Sequence, residues 1–228
     1  MRLFAHQFVT LAAAALNVAL LVACSGQPSQ QPTQTPIYLV IPGETPPITP
    51  GDPAGTALPA GFPTPFICNA EIVEQPYEHG RMFWVGKTLD ERCKEEHDFT
   101  PGSGEIWVLI FDQGADDGEW FAFVDDWDSE SEIPFDITMT EPPGLYQPVR
   151  GFGKVWRERL TDEQRIALGW ALALEIKFVT TYRYDGGGFI NEQGTYIPRP
   201  GLHTLTSFGG ERFFLDEQTR RFQYIPAG

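Results

Sequence analysis

Cysteine and histidine residues are the first candidates for chemistry in this chain. Cys93 and His97 lie four residues apart, on one face of a predicted helix, and Cys68 and His79 precede them. Four such side chains are able to hold Zn²⁺ in a tetrahedral site. With Cys24 assigned a different role below, Cys68 and Cys93 also form an even pair, which is typical of a disulfide in an exported protein. We favour the Cys68–Cys93 disulfide and keep a metal site or free thiols as alternatives.

A strongly acidic segment is the most biased part of the sequence. Residues 112–141 contain eleven acidic side chains and neither Lys nor Arg. Asp125, Asp126 and Asp128 are candidate ligands for Ca²⁺, which takes about six to eight oxygens. Glu105 and Asp125 are candidates for the acid and the base of glycoside hydrolysis, which needs two carboxylates at a defined separation. The alternative that we favour is a solvated acidic surface.

The six tryptophans are candidates for stacking on sugar rings, although buried Trp side chains most often pack in cores. Charged residues lie close to Trp127 and Trp156 in sequence, so we expect these two rings to be the more exposed ones. Together with Asp125, Asp126 and Asp128 they are the candidate glycan-binding residues. The sequence contains neither a Gly-x-Ser-x-Gly motif nor a phosphate-binding loop, and we assign no catalytic residue and no cofactor.

Composition and charge exclude other classes of protein. The 228 residues include 31 acidic and 16 basic side chains, for a net charge of −15. Because a nucleic-acid-binding protein needs clustered Lys and Arg, we expect no nucleic acid as a partner. With 42% hydrophobic and 13% aromatic residues, the chain is too apolar to be wholly disordered.

The N-terminus resembles that of bacterial lipoproteins. Residues 8–23 read FVTLAAAALNVALLVA, an apolar run that is short for a membrane-spanning helix and typical of an export signal. The tetrapeptide LVAC that ends at Cys24 follows the lipobox pattern of that family. The resemblance implies that residues 1–23 are removed as a signal peptide and that Cys24 is acylated. The lipid bilayer is then a partner, and the protein is anchored at the extracytoplasmic face of the cell membrane.

A tether and one globular domain follow the lipobox. Residues 24–66 contain eleven prolines and two charged side chains, a composition that favours extended chain over a packed core. The apolar stretch 37–41 is interpreted as part of this tether, with a strand that docks on the domain as the alternative. Residues 67–228 carry all six tryptophans and have the size of a single domain.

Residue patterns predict that this domain is mainly β, with antiparallel hairpins. Runs rich in β-branched and aromatic residues at 105–111 and 119–124 are typical of one hairpin. Residues 202–208 and 211–216 indicate a second hairpin with a two-residue turn, and 221–225 indicates a final strand.

Capping boxes predict two short helices. Thr88 precedes the first, which we expect to continue to His97, and Thr161 precedes the second, which we expect to end near Gly169.

A diverged duplication is a further hypothesis. Residues 77–83 can be aligned with 184–190, and each copy is then followed by a hairpin that ends in Trp120-Phe121 or in Phe213-Phe214. The domain would then be built from two related halves.

Five short motifs resemble segments of uncharacterised exported bacterial proteins, over most of residues 71–190. They are Gly80-Arg-Met-Phe-Trp84, Asp125-Asp-Trp127, Gln147–Arg157, Leu168-Gly-Trp-Ala171 and Glu175. The Leu-Gly-Trp-Ala…Glu string is also similar to the LGFP repeat of cell-surface proteins, with Trp and Ala in place of Phe and Pro. That repeat is associated with attachment to the cell wall, and neither resemblance implies a catalytic residue.

These observations lead to one hypothesis and two alternatives. The favoured hypothesis is a membrane-anchored surface lipoprotein whose domain binds cell-wall or other surface glycan. The alternatives are a carboxylate-dependent extracellular hydrolase and a structural protein that interacts with partners in the envelope.

Overall fold

The computed structural model describes residues 60–96 and 103–228, which form a closed barrel of eight antiparallel strands. The strands are β1 (Phe66–Tyr77), β2 (Gly80–Gly86), β3 (Gly104–Phe111), β4 (Asp117–Val124), β5 (Ile176–Ile190), β6 (Tyr196–Thr206), β7 (Arg212–Asp216) and β8 (Arg221–Ile225). The prediction of a mainly β domain with antiparallel hairpins is confirmed. The predicted signal peptide, Cys24 and the apolar stretch 37–41 lie outside the described residues.

The barrel consists of two four-stranded meanders, in the order β1-β2-β3-β4-β8-β7-β6-β5. The two seams between the meanders join β4 to β8 and β1 to β5, and both are antiparallel. Each seam thus pairs strands that hold the same position in their meanders, the first with the first and the fourth with the fourth. An approximate twofold axis would produce this pairing, so the topology is compatible with a duplication. The predicted alignment, however, is wrong, because residues 77–80 span the β1–β2 turn whereas 184–187 lie within β5.

Large side chains fill the barrel interior. Alternate residues of each strand point inward and form one core, which includes Trp107, Trp120, Tyr182, Phe213 and Phe222. Their aromatic rings pack edge to face, as in the pair Trp107–Trp120 with ring centroids 5.6 Å apart. The interior is therefore occupied by protein side chains along most of its length.

A second core lies outside the barrel, beneath the long connection between β4 and β5. We call residues 125–175 the cover segment. It contains helix α2 (Arg150–Lys154), which continues as a π-helical turn over Val155–Arg159, and helix α3 (Asp162–Leu168). Because the cover segment packs on the outer faces of β2 and β3, Ile106, Val108 and Ile110 are buried as well as the inward residues of β3. This two-sided burial explains why β3 shows no alternation of apolar and polar residues.

Both predicted capping boxes are present. Thr88 begins helix α1 (Leu89–Arg92) and Thr161 begins α3, each with reciprocal hydrogen bonds to the third helical residue. Helix α3 ends at Gly169 as expected. Helix α1 ends at Arg92, so its predicted continuation to His97 is wrong. Helix α2 and the π-helical turn were not predicted.

The predicted β6–β7 hairpin is present with a longer turn. Residues 207–211 connect the strands in place of the expected two-residue turn. The Ser207 amide donates to the Glu211 carbonyl, and the two side chains also form a hydrogen bond. The β3–β4 hairpin and the final strand β8 agree with the sequence patterns.

Candidate functional site

The motif residues meet where the cover segment packs on the barrel. Gly80 lies so close to the Leu109 carbonyl and to Leu168 that a Cβ atom has no room there. Trp84 is buried, and its Nε1 donates a hydrogen bond to Oδ2 of Asp125 at 2.9 Å. These contacts fix the start of the cover segment to β2.

Trp156 belongs to the same interface. Its side chain is 3% exposed, its Nε1 donates to the Gly169 carbonyl at 3.0 Å, and its ring lies 5.1 Å from that of Trp170. The expectation that Trp156 is exposed is therefore wrong. The π-helical turn buries its ring in the core between cover segment and barrel, although charged residues lie close to it in sequence.

Ala171 and Glu175 hold the end of the cover segment. Ala171 is buried and forms β-bridges with Tyr77 and Tyr146. Arg150 forms an ion pair with Glu175 at 3.3 Å, and burial raises the pKa of the Glu175 carboxyl. The motifs behind the family resemblance thus build a packed interface, and their spacing reflects packing between the cover segment and the barrel.

The three candidate aspartates do not share a ligand site. Asp125 is buried, whereas Asp126 forms ion pairs with Lys154 and Arg159. Asp128 accepts hydrogen bonds only from residues of its own turn. The expectation that Asp125 belongs to a solvated acidic surface is therefore wrong, because its side chain is buried. Within 60–96 and 103–228, no three His, Cys, Asp or Glu side chains are placed to share a metal ion.

Trp127 is half-buried rather than exposed as a platform. Its backbone amide donates to Oδ1 of Asp125 at 3.3 Å, and its Nε1 is buried without a hydrogen-bond partner among the described residues. Trp127 and Trp156 therefore do not form a pair of exposed rings.

Glu105 and Asp125 lie on opposite faces of the barrel wall. Glu105 belongs to the interior, where its Oε2 accepts hydrogen bonds from Arg92 at 2.5 Å and from Trp107 Nε1 at 3.1 Å. Asp125 contacts Trp84 on the outer face. Because two carboxylates must flank one glycosidic bond to hydrolyse it, this pair does not fit the hydrolase hypothesis.

Cys68 and Cys93 form a disulfide, with their Cα atoms 5.5 Å apart. This prediction is confirmed, and it removes both thiols from the alternative metal site. His97 lies outside the described residues. His79 lines an open acidic hollow of about 650 Å³ with Glu78, Glu119 and Glu163, to which we assign no ligand.

A hydrogen-bonded cluster that the sequence did not reveal closes one end of the barrel. The Tyr182 hydroxyl lies 2.7 Å from Nδ1 of His203, and Nε2 of His203 lies 2.9 Å from Oε1 of Glu217. Oε2 of Glu217 accepts from the Gly201 amide at 2.6 Å and from the Tyr184 hydroxyl at 3.1 Å. We call these residues the polar end.

Charge states at the polar end favour a structural role. The hydrogen bond from His203 lowers the pKa of Glu217 to about 2, while burial lowers the pKa of His203. A neutral His203 then donates from Nε2 to the carboxylate and accepts from Tyr182 at Nδ1. Burial raises the pKa of Tyr182, which is only 2% exposed, so its hydroxyl is neither activated nor accessible as a nucleophile.

The polar end and Asp125 should give the free energy of unfolding opposite dependences on pH. Glu217 titrates near 2 in the folded protein, against 4.5 for the free side chain. Its contribution to stability is therefore present above about pH 4.5 and is lost as the pH falls through the folded pKa. The contribution of His203 to stability is also lost on acidification. Because its pKa is lowered in the folded protein, the unfolded chain takes up the His203 proton more readily below pH 6.5. Burial raises the pKa of Asp125 from 3.8, so its contribution is present at low pH and is lost as the pH rises.

Urea unfolding across the acidic range tests these signs in matched variants. Glu217→Gln should flatten the loss of stability on acidification, and Asp125→Asn should steepen it, each relative to the parent protein. Curves for both variants that run parallel to the parent would contradict the assigned charge states.

An apolar groove of about 380 Å³ lies on the outer surface of the cover segment. Phe135 and Tyr146 contribute rings that are 45% and 42% exposed, and Ile137 and Leu174 contribute aliphatic surface. Gln147 fixes one wall, since its amide group donates to the Asp136 carbonyl and accepts from the Asp136 amide. A volume of this size is within the range of small-ligand sites, about 300–1,000 Å³.

Comparison with family models, with curated proteins and with solved structures found no match for this chain. None of the helices in the described part of the chain has the length and apolar character needed to cross a membrane.

Proposed function

We propose that the protein is an exported lipoprotein, anchored through Cys24, whose barrel domain binds surface glycan in the groove of the cover segment. The lipobox sequence at Cys24 supports the anchor, and incorporation of a labelled fatty acid at Cys24 tests it. The Cys68–Cys93 disulfide supports an oxidising compartment outside the cytoplasm. The proline-rich residues 24–66 would then act as the tether between lipid and domain.

The groove is the observation that carries this proposal. Its rings, Phe135 and Tyr146, are exposed to solvent, and the side chains of Asp136 and Glu141 line the groove with them and supply hydrogen-bond acceptors. Aromatic faces with polar groups at their edges match the alternating apolar and hydroxylated faces of a sugar ring. This arrangement takes the place of the Trp127 and Trp156 platform that the sequence indicated.

The barrel interior offers less support for ligand binding. Aromatic side chains occupy its centre, and the polar end closes one side with hydrogen bonds among its own residues. A ligand in the interior would have to displace buried rings, at a cost of several kcal/mol for each large side chain. A binding role on the outer surface is therefore favoured over a lumenal site.

Loss of a groove ring should weaken glycan binding. Phe135→Ala and Tyr146→Ala are each expected to cost more than ~1 kcal/mol, or roughly fivefold in affinity, because each removes an aromatic contact. Binding of the purified protein to cell-wall glycan and to a glycan array measures this effect.

Phe208→Ala is the matched control, since Phe208 is an exposed ring on the barrel away from the groove. It should bind as the parent does. Equal glycan binding by the parent and both groove variants, or no binding by the parent, would refute the proposed site.

A structural envelope-interaction protein is the second candidate, favoured by aliphatic exposure at the same surface. Ile133, Ile137 and Leu174 are all strongly exposed, with Ile137 at 77%. Ile137 and Leu174 line the same groove, and an exposed apolar patch is typical of protein contacts. In that case Ile137→Ser should reduce binding to envelope fractions more than Tyr146→Ala does, and soluble glycan should not compete.

A further inference from the structure

Charge around the groove distinguishes between classes of glycan. Asp136 and Glu141 are the ionisable acids of its lining, and its described lining contains neither Lys nor Arg. An anionic glycan would therefore meet two carboxylates without a compensating cation in the groove. The net charge of −15 over the chain adds to this repulsion at long range.

Asp136 is held in its charged form. Its Oδ1 accepts hydrogen bonds from the Thr138 amide at 2.8 Å and from the Thr138 hydroxyl at 2.7 Å, and the hydroxyl contact is the main cause of its lowered pKa. Both contacts use Oδ1, so Oδ2 retains its capacity to accept from a ligand. The groove thus contains a fixed negative charge beside its aromatic rings.

Nearby cations lie outside the groove lining. The Arg150 guanidinium forms an ion pair with Glu175 at 3.3 Å, and Arg157 donates to the Pro148 carbonyl at 3.4 Å. Arg157 also lowers the pKa of Asp136 through its charge, but it is not part of the groove lining. The ligand itself is therefore the natural source of a cation for the two groove carboxylates.

We propose that the groove selects glycans that carry free amino groups, as in unacetylated hexosamine units. The sugar ring lies on Phe135 or Tyr146, and its ammonium group donates to Asp136 and Glu141. Hydrogen bonds between ammonium and carboxylate are stronger than those between neutral groups, and a cation near an aromatic face gains further attraction. This inference rests on the proposed function and names the class of glycan that the same site takes.

Binding of three matched oligomers to the purified protein tests the selectivity. Glucosamine oligomers should bind at least about tenfold more tightly than N-acetylglucosamine oligomers, the ratio expected when a charge-assisted hydrogen bond is lost. Galacturonic acid oligomers should bind more weakly still. Added salt should weaken the binding of the glucosamine oligomers and leave that of the N-acetylated oligomers nearly unchanged.

Glu141→Gln separates this inference from the proposed function. It should lower affinity for glucosamine oligomers several-fold and leave the N-acetylated oligomers unaffected, while Glu95→Gln, an exposed acid outside the groove lining, should change neither. If glucosamine and N-acetylglucosamine oligomers bind equally and only Tyr146→Ala weakens them, the selectivity is wrong and the glycan site stands. If no oligomer binds, both are wrong.

Discussion

Replacement of Trp156 by Ala should lower the free energy of unfolding by about 3–5 kcal/mol, the range for removal of a large buried aromatic side chain. The substitution removes the stacking partner of Trp170 and the hydrogen bond to the Gly169 carbonyl. The lost side chain leaves a cavity between the cover segment and the outer wall of the barrel. Urea unfolding of the purified protein, followed by the fluorescence of the remaining tryptophans, measures the loss.

Trp127→Ala is the control for this prediction. Sequence patterns do not separate these two tryptophans, but Trp127 is only half-buried and its Nε1 has no hydrogen-bond partner among the described residues. Its replacement should therefore cost clearly less than that of Trp156. Equal losses for the two variants would mean that the cover segment does not pack on the barrel as described.

Local sequence patterns were sufficient to predict strands but not to predict that they close into a barrel. The runs in β3 and β4 are apolar and β-branched, and the turn between them is rich in Asp and Gly, so the hairpin follows from the residues themselves. Closure depends on pairing β1 with β5, which are separated by about a hundred residues. No short-range pattern specifies such a long-range contact.

The resemblance to exported proteins grouped the motif residues, but it did not predict what they do. Trp84 and Asp125 are far apart in sequence, and their contact becomes visible only when the cover segment is placed on the barrel. Charged residues close to Trp156 in sequence favoured an exposed ring, whereas the π-helical turn buries both Trp156 and Val155 and leaves Glu158 exposed. Solvation of a residue follows its position in the fold rather than the polarity of its neighbours in sequence.

The sequence contains an apolar pattern that indicates the groove, within the run that we interpreted as an acidic surface. Within the acidic run, Ile133, Phe135, Ile137 and Met139 alternate with other residues, yet the run was interpreted from its charges alone. Ile133, Phe135 and Ile137 are exposed although they are apolar, and this makes them informative about binding. The polar end had no comparable signal, because its members come from β5, from β6 and from the residue after β7.

Removal of the disulfide should lower the free energy of unfolding by about 3–4 kcal/mol on the chain-entropy account of loop closure. The bridge closes a loop between residues 25 positions apart and attaches the end of α1 to β1. Arg92, next to Cys93, donates to Glu105 in the barrel interior, so the bridge also restrains this contact. Urea unfolding of a Cys68→Ala/Cys93→Ala double variant measures the loss.

Reductant provides the matched control for the disulfide. It should destabilise the parent protein to nearly the level of the double variant and leave the double variant itself unchanged, because only the parent has a bridge to break. Intact mass of the parent should rise by two hydrogens on reduction. Two thiols that react with an alkylating agent in unfolded parent protein without reductant would rule out the bridge. If reductant also destabilised the double variant, the loss of stability in the parent would have a cause other than opening of the Cys68–Cys93 bridge.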